Sequence, residues 1–130
     1  MRFTYPKQEK LKSRTLINQL FSEGKSVSKY PLRLAYVQVS ELESSNIKLG
    51  VSVSKKHFKK AVDRNYYKRV LRETYRLNKS ILTKVVGDKK YAFMLLYQTK
   101  DRLTYQEVHE KTIQLFEKFA STIEKDTAKF

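Results

Sequence analysis

Residues 64–76 read RNYYKRVLRETYR. Basic residues recur there at helical spacing, and so do aromatic and aliphatic ones. Advancing about 100° per residue from Arg64 places Arg64, Lys68, Arg72 and Arg76 on a slowly drifting line, with Asn65 and Arg69 beside it. The opposite arc holds Val62, Tyr66, Tyr67, Val70, Leu71, Thr74 and Leu77. The pattern predicts a helix from about Ala61 to Leu77 that packs one arc on a sheet and presents the other as a cationic stripe. Only Glu73 stands near the edge of that stripe. Its basic groups are therefore mostly unpaired within their own helix, unlike the Glu-to-Lys ladders of ordinary solvated helices.

Charge elsewhere in the chain supports a working surface. The 130 residues carry 28 Lys+Arg against 13 Asp+Glu, a net charge of +15. Between Ser54 and Lys79 stand ten basic residues (Lys55, Lys56, Lys59, Lys60, Arg64, Lys68, Arg69, Arg72, Arg76, Lys79) and two acidic ones (Asp63, Glu73), so this segment holds eight of the fifteen net charges. Such an excess repels itself in the compact state, and a polyanion relieves it. Nucleic acid is the natural partner. A membrane surface fits less well, because the basic residues are not gathered on a terminal amphipathic anchor. Arginine predominates in the stripe, and its flat fork matches pairs of phosphate oxygens. The lysines of SKKHFKK lead into the helix N-terminus, where backbone N–H groups favour an anion. Against this stands the plain alternative that a charge run on a helix is its wet face.

Length bounds the organisation: one domain over 1–130, with no repeat or linker. No apolar run approaches the roughly 20 residues of a membrane span, and the start lacks a secretion signal, so a cytoplasmic protein is expected. The chain has no cysteine, and its two histidines, His57 and His109, lie far apart. A thiolate or histidine metal centre is therefore not expected. His57 reads as solvated, and His109 is assigned no role. No paired carboxylates, histidine pair or phosphate-cradling glycine loop suggests a residue set that hydrolyses a phosphodiester unaided.

Along the chain, residues 1–12 read as an extended lead-in. Ser13 offers an N-cap to a short helix with Leu16, Ile17, Leu20 and Phe21 on its apolar face, and Gly24 a left-handed stop. A weak strand signal surrounds Val27 and Tyr30; LRLAYVQV (32–39) is a clearer strand. After the polar connection ELESSN (41–46), Ile47, Leu49, Val51 and Val53 alternate with small or polar residues, as in a strand with one buried face. The central helix gives way to a mixed stretch ending at Gly87-Asp88, and the apolar YAFMLLY (91–97) reads as a strand covered on both faces. Thr104 and Glu107 form a capping box, Leu103 staples onto Val108, and Thr112, Leu115, Phe116, Phe119 and Ile123 continue the stripe of a last helix. Residues 124–130 are expected to fray. The class is α+β, a single sheet with helices in the order α-β-β-β-α-β-α.

SVSKK (52–56) followed by KAVDRNYYKRVLRE (60–73) resembles the signature of the bacterial ribonuclease P protein component, whose defining helix has the form RN, two variable residues, KR, two variable residues, R. Here these are Arg64, Asn65, Lys68, Arg69 and Arg72. LKSRTLINQLFSEGKSV (11–27) is similar to the first helix of that family and its exit, and LTYQE (103–107) to the start of its last helix. One departure is the bulkier HFKK (57–60), where many members have a glycine.

The resemblance implies a strand–helix–strand crossover of the rare left hand, as in a ribosomal-protein second domain, where the general rule favours the right hand. It also implies a catalytic RNA as partner, with precursor tRNA as substrate. Endonucleolytic removal of the 5′ leader would then be performed by magnesium held mainly by the RNA, with no catalytic or metal-binding residue in this chain and no obligate protein partner. By similarity, Lys55, Lys56, Lys59, Lys60, Arg64, Asn65, Lys68, Arg69, Arg72 and Arg76 would contact the catalytic RNA. Ile17, Phe21 and Tyr36 would line the cleft that holds the leader. Ile17 departs from the family's aromatic at its position, and ordinary core is the competing reading for Ile17 and Phe21. A non-catalytic ribosomal or RNA-chaperone protein using the same stripe is the alternative function.

Overall fold

The computed structural model describes residues 5, 10, 11, 13–40 and 46–128. Its elements are α1 (Arg14–Glu23), β1 (Lys25–Lys29), β2 (Leu32–Val39), β3 (Ile47–Val53), α2 (Ala61–Val86), β4 (Lys90–Tyr97) and α3 (Tyr105–Ala128). The order is the one the sequence predicts. One four-stranded sheet runs β1-β2-β4-β3. The β1–β2 and β2–β4 pairs are antiparallel, while β3 and β4 are parallel and joined through α2. Asp101 and the rest of the short β4–α3 connection are held by Tyr97, whose hydroxyl donates to the Asp101 carbonyl and accepts from the Leu103 amide.

Register divides the sheet into two unlike faces. Leu32, Leu34, Tyr36, Tyr91, Phe93, Leu95 and Tyr97 point to the side covered by α2 and α3, where they join Tyr75, Leu115, Phe116 and Phe119 in the main core. Aromatic rings interlock there: Phe119 lies edge-on to Tyr36 at 4.8 Å and to Phe93 at 5.2 Å. Between the covering helices the buried hydroxyls of Thr112 and Thr74 lie 3.2 Å apart, each also within hydrogen-bond distance of a backbone carbonyl of its own helix. Among the described helices, α1 packs on the other face. Ala35, Ala92 and Met94 form its floor without an aromatic ring, with Leu11 and Leu20 closing a second, smaller cluster against which Leu16, Ile17, Val37 and Leu96 pack.

Several expectations need correction. Gly24 ends α1 in extended backbone (φ −72°), not as a left-handed stop. Glycine is required there by space: a Cβ would stand 2.1 Å from the Leu20 carbonyl oxygen and 2.9 Å from that of Tyr36. The weak strand is real but ends at Lys29, with Tyr30 in the turn. The central helix does not stop near Leu77; it runs 26 residues to Val86, and Gly87 at φ 59° supplies the left-handed exit. Asn78, Lys79 and Ser80 dilute the apolar pattern, yet no Gly or Pro interrupts it, and Leu82 and Val86 continue burial into the main core. The last helix runs through Ala128, while residues 129–130 and most of the 41–46 connection lie outside the described residues. Of the lead-in, Leu11 donates its amide to Leu49 on the β3 edge at 3.1 Å, and the Tyr5 hydroxyl donates to the same carbonyl.

Candidate nucleic-acid interface

The β3–α2 connection starts the site. Ser54 folds it: its hydroxyl accepts from the Lys56 amide at 3.0 Å, and its carbonyl from those of His57 and Phe58. Phe58 is the anchor that sequence reasoning missed. Its buried ring stacks on Tyr67 at 4.9 Å and lies 5.8 Å from Tyr97, fixing the bulky HFKK segment to the core. The available signal was a large aromatic set among the lysines of HFKK. With Phe58 inward, Lys55, Lys56, Lys59 and Lys60 are exposed around the start of α2, and His57 is half-buried. Lys60 occupies the N-cap without a side-chain cap, so the first-turn amides carry the positive end of the helix toward solvent among these lysines.

Arg64 does something other than face outward with the stripe. Its Nη1 donates to the Phe58 carbonyl at 2.7 Å and to the Lys59 carbonyl at 2.8 Å. The guanidinium thereby clamps the connection that carries the lysines. Arg76, at the other end of the predicted line, forms an ion pair with Glu73 at 2.5 Å, and the guanidinium holds that carboxyl below its ordinary range. The second acid of the segment is also committed. Asp63 pairs with Arg102 of the β4–α3 connection at 3.0 Å, and this hydrogen bond lowers its pKa. Arg102 in turn lies over the Phe58 ring.

The helix is rotated relative to the predicted wheel. Tyr67, Val70, Leu71, Thr74 and Tyr75 are buried, which centres the packed arc on the Tyr67–Leu71 side. Ala61, Val62, Asn65, Tyr66, Arg69 and Arg72 are the exposed residues of its first half, and Lys68 is half-buried. The expected packing of Val62 and Tyr66 is thus overturned: they are 71% and 43% exposed. The reason is tertiary. The Phe58, Tyr67 and Tyr97 rings take the core position, and helical periodicity alone does not say which edge of a wide apolar arc they will claim. Among the described residues Lys68, Arg69 and Arg72 have no acidic partner. Asn65 is exposed beside Arg69.

On the other sheet face, α1 crosses a floor of small residues. Gly50 contributes no side chain, and a Cβ there would meet the end of Met94 at 3.2 Å. Ile17 packs half-buried on this floor, whereas Phe21 is 59% exposed. Tyr36 must be removed from the cleft. The β2 register turns it to the opposite face, where it is 6% exposed against Phe119 and Tyr91. Its neighbours Ala35, packed beneath α1, and Val37 take the cleft side. Arg33 shares that side, two residues on, with Nε donating to the Ser28 hydroxyl. Among the described residues no three or more histidine, aspartate or glutamate side chains lie together as a group. No described helix is long and apolar enough to cross a membrane.

Comparison with known proteins closes on one family. The family model described as Ribonuclease P matches residues 5–120. A Ribonuclease P protein component of Porphyromonas gingivalis is 40% identical over 113 residues, 86% of this chain and 82% of that protein. One from Chlorobaculum tepidum is 32% identical over 104 residues, 73% of this chain and 68% of that protein. Among solved structures, the RNase P protein of Staphylococcus aureus superposes with a TM-score of 0.69 at 21% identity, covering 85% of this chain and 94% of that one. That of Thermotoga maritima superposes at 0.67 with 26% identity, covering 85% and 96%. A match running through α1, the sheet, the α2 signature and most of α3 leaves one assignment: the chain belongs to the bacterial ribonuclease P protein component family.

Proposed function

We propose that this chain binds the catalytic RNA of ribonuclease P through the N-terminal half of α2 and the loop before it, and holds the 5′ leader of precursor tRNA between α1 and the sheet. The observation that carries the reading is the exposed face formed by Asn65, Arg69 and Arg72, continued by Lys55, Lys56, Lys59 and Lys60, while both nearby acids are spent on Arg76 and Arg102. Nothing acidic within the segment competes with phosphate. Neutralising several phosphates releases counterions, so affinity should fall steeply with salt. Arg64 serves by holding the loop carbonyls, and the lysines then meet the RNA without first ordering the backbone.

In this reading magnesium belongs to the RNA and supplies the chemistry of the cut. The chain contributes binding and position. Phe21 offers an exposed ring on which an unpaired base stacks without sequence preference, and Ile17 adds apolar contact. The deciding experiment is precursor cleavage by the cognate catalytic RNA at low magnesium, with and without this protein. Restored cleavage that depends on the presence of a leader supports the proposal. A gain equalled by any cationic protein, or no gain, favours a non-catalytic RNA-binding role, and cleavage by RNA-free protein points to an autonomous nuclease.

A further inference from the structure

We propose that Tyr66 is a stacking platform for an unpaired nucleobase of the catalytic RNA; the proposal rests on the RNA-binding role of α2 and adds a contact of a different physical kind. The ring is 43% exposed on a helix whose neighbouring Tyr67 is 3% exposed, so the core takes one of the two adjacent tyrosines and leaves the other in solvent. Tyr66 is nonetheless held. It meets Tyr67 edge-to-face at 5.0 Å with an interplanar angle of 85°, and the Arg69 guanidinium carbon lies 5.9 Å from its centroid. A ring fixed on two sides loses little freedom when a base covers its open surface.

Its surroundings select the occupant. Val62, one turn earlier, is 71% exposed and extends the apolar surface, while Asn65, Arg69 and Arg72 flank it with polar and cationic groups. An apolar protein partner would have to desolvate those guanidinium groups without an acid of this segment to pair them. A nucleotide satisfies both parts at once: the base takes the ring and the phosphate takes the cations. The catalytic RNA is favoured over the leader by position. α2 covers the Phe93 face of the sheet, while the α1 cleft lies across the sheet on the Ala35–Met94 face.

The sequence contains no tryptophan, so Tyr66→Trp in the full chain gives a single indole reporter at the proposed contact. Titrating it with folded catalytic RNA should quench its emission in step with binding, whereas precursor tRNA alone should not. In parallel, Tyr66→Phe should bind the catalytic RNA within about twofold of the unsubstituted protein. Tyr66→Leu should bind about tenfold more weakly or worse, as loss of a stacked base predicts, with an unchanged slope of log affinity against log salt. Arg69→Ala should instead make that slope shallower by about one. Saturating catalytic RNA that leaves the indole emission unchanged, quenching only by precursor tRNA, or full affinity in Tyr66→Leu would each overturn the stacking role. All three leave the broader reading standing. That reading fails separately if the unsubstituted protein does not prefer the catalytic RNA to an unrelated RNA of equal length.

Discussion

The two faces of the sheet are built to different specifications. On one, α2 and α3 press Tyr75, Phe116 and Phe119 onto Tyr36, Tyr91 and Phe93. On the other, ten residues of α1 rest on Ala35, Ala92 and Met94 above a glycine. The thick face supplies most of the apolar burial and hence most of the stability. The thin face is cheap to build and leaves a ring, Phe21, in solvent. Stability is thereby concentrated on one side of the four strands, and under the proposed function Phe21 is a leader contact that the fold does not need.

The comparison breaks first at its strongest point. Phe119→Ala should cost about 3–5 kcal/mol in urea unfolding, because three rings pack edge-on or obliquely around it. Met94→Ala on the thin face should cost roughly 2–3 kcal/mol, since that site can collapse onto Gly50 and Leu11. Equal losses would mean the faces contribute alike. Gly24→Ala tests how tightly α1 is tied to the thin face: the added methyl meets two backbone carbonyls, and a loss of about 1–3 kcal/mol is expected. An unchanged denaturation midpoint would show that α1 shifts freely over the floor.

Titration sharpens the thick side further. Burial pushes the Tyr97 hydroxyl up to about 12. A folded-state pKa above the unfolded value of about 10 means that this contribution is complete below pH 10 and lost as pH rises toward 12. The melting temperature should fall across that window. Tyr97→Phe should remove that part of the fall while costing about 0.5–1.5 kcal/mol per lost hydrogen bond at neutral pH, from the bonds to Asp101 and Leu103. A pH profile unaltered by the substitution would place the alkaline transition on other groups. Smallest in stability is Phe21→Ala, expected to move unfolding by no more than about 0.5 kcal/mol while weakening leader-bearing substrate more than leaderless substrate. A large loss of stability would return Phe21 to the core and close the cleft.

Much of this was legible in the chain. Alternation in IKLGVSV, the unbroken YAFMLLY and the Val108-to-Ile123 stripe defined strands and a helix because burial of one or both faces leaves a period that no tertiary detail can erase. The RNYYKRVLR stretch carried the family resemblance in its motif and, separately, a charge signal in its spacing. Cations without acids at helical spacing are costly unless something outside the chain pairs with them.

Register and rotation were not legible, since each is a choice between neighbouring solutions with nearly the same pattern. LRLAYVQV is apolar enough on both sides that whether Tyr36 or Ala35 meets α1 depends on pairing with β4. Likewise α2 carries an apolar arc wide enough to turn either edge inward, and only the Phe58–Tyr67–Tyr97 stack decided that Tyr66 and Val62 face water and that Arg64 clamps a loop. The sequence by itself determined the elements, their order and the sign and place of the charge. Tertiary packing decided which side chains the core would consume and which it would leave for RNA, because close packing admits one arrangement of large rings where periodicity permits several.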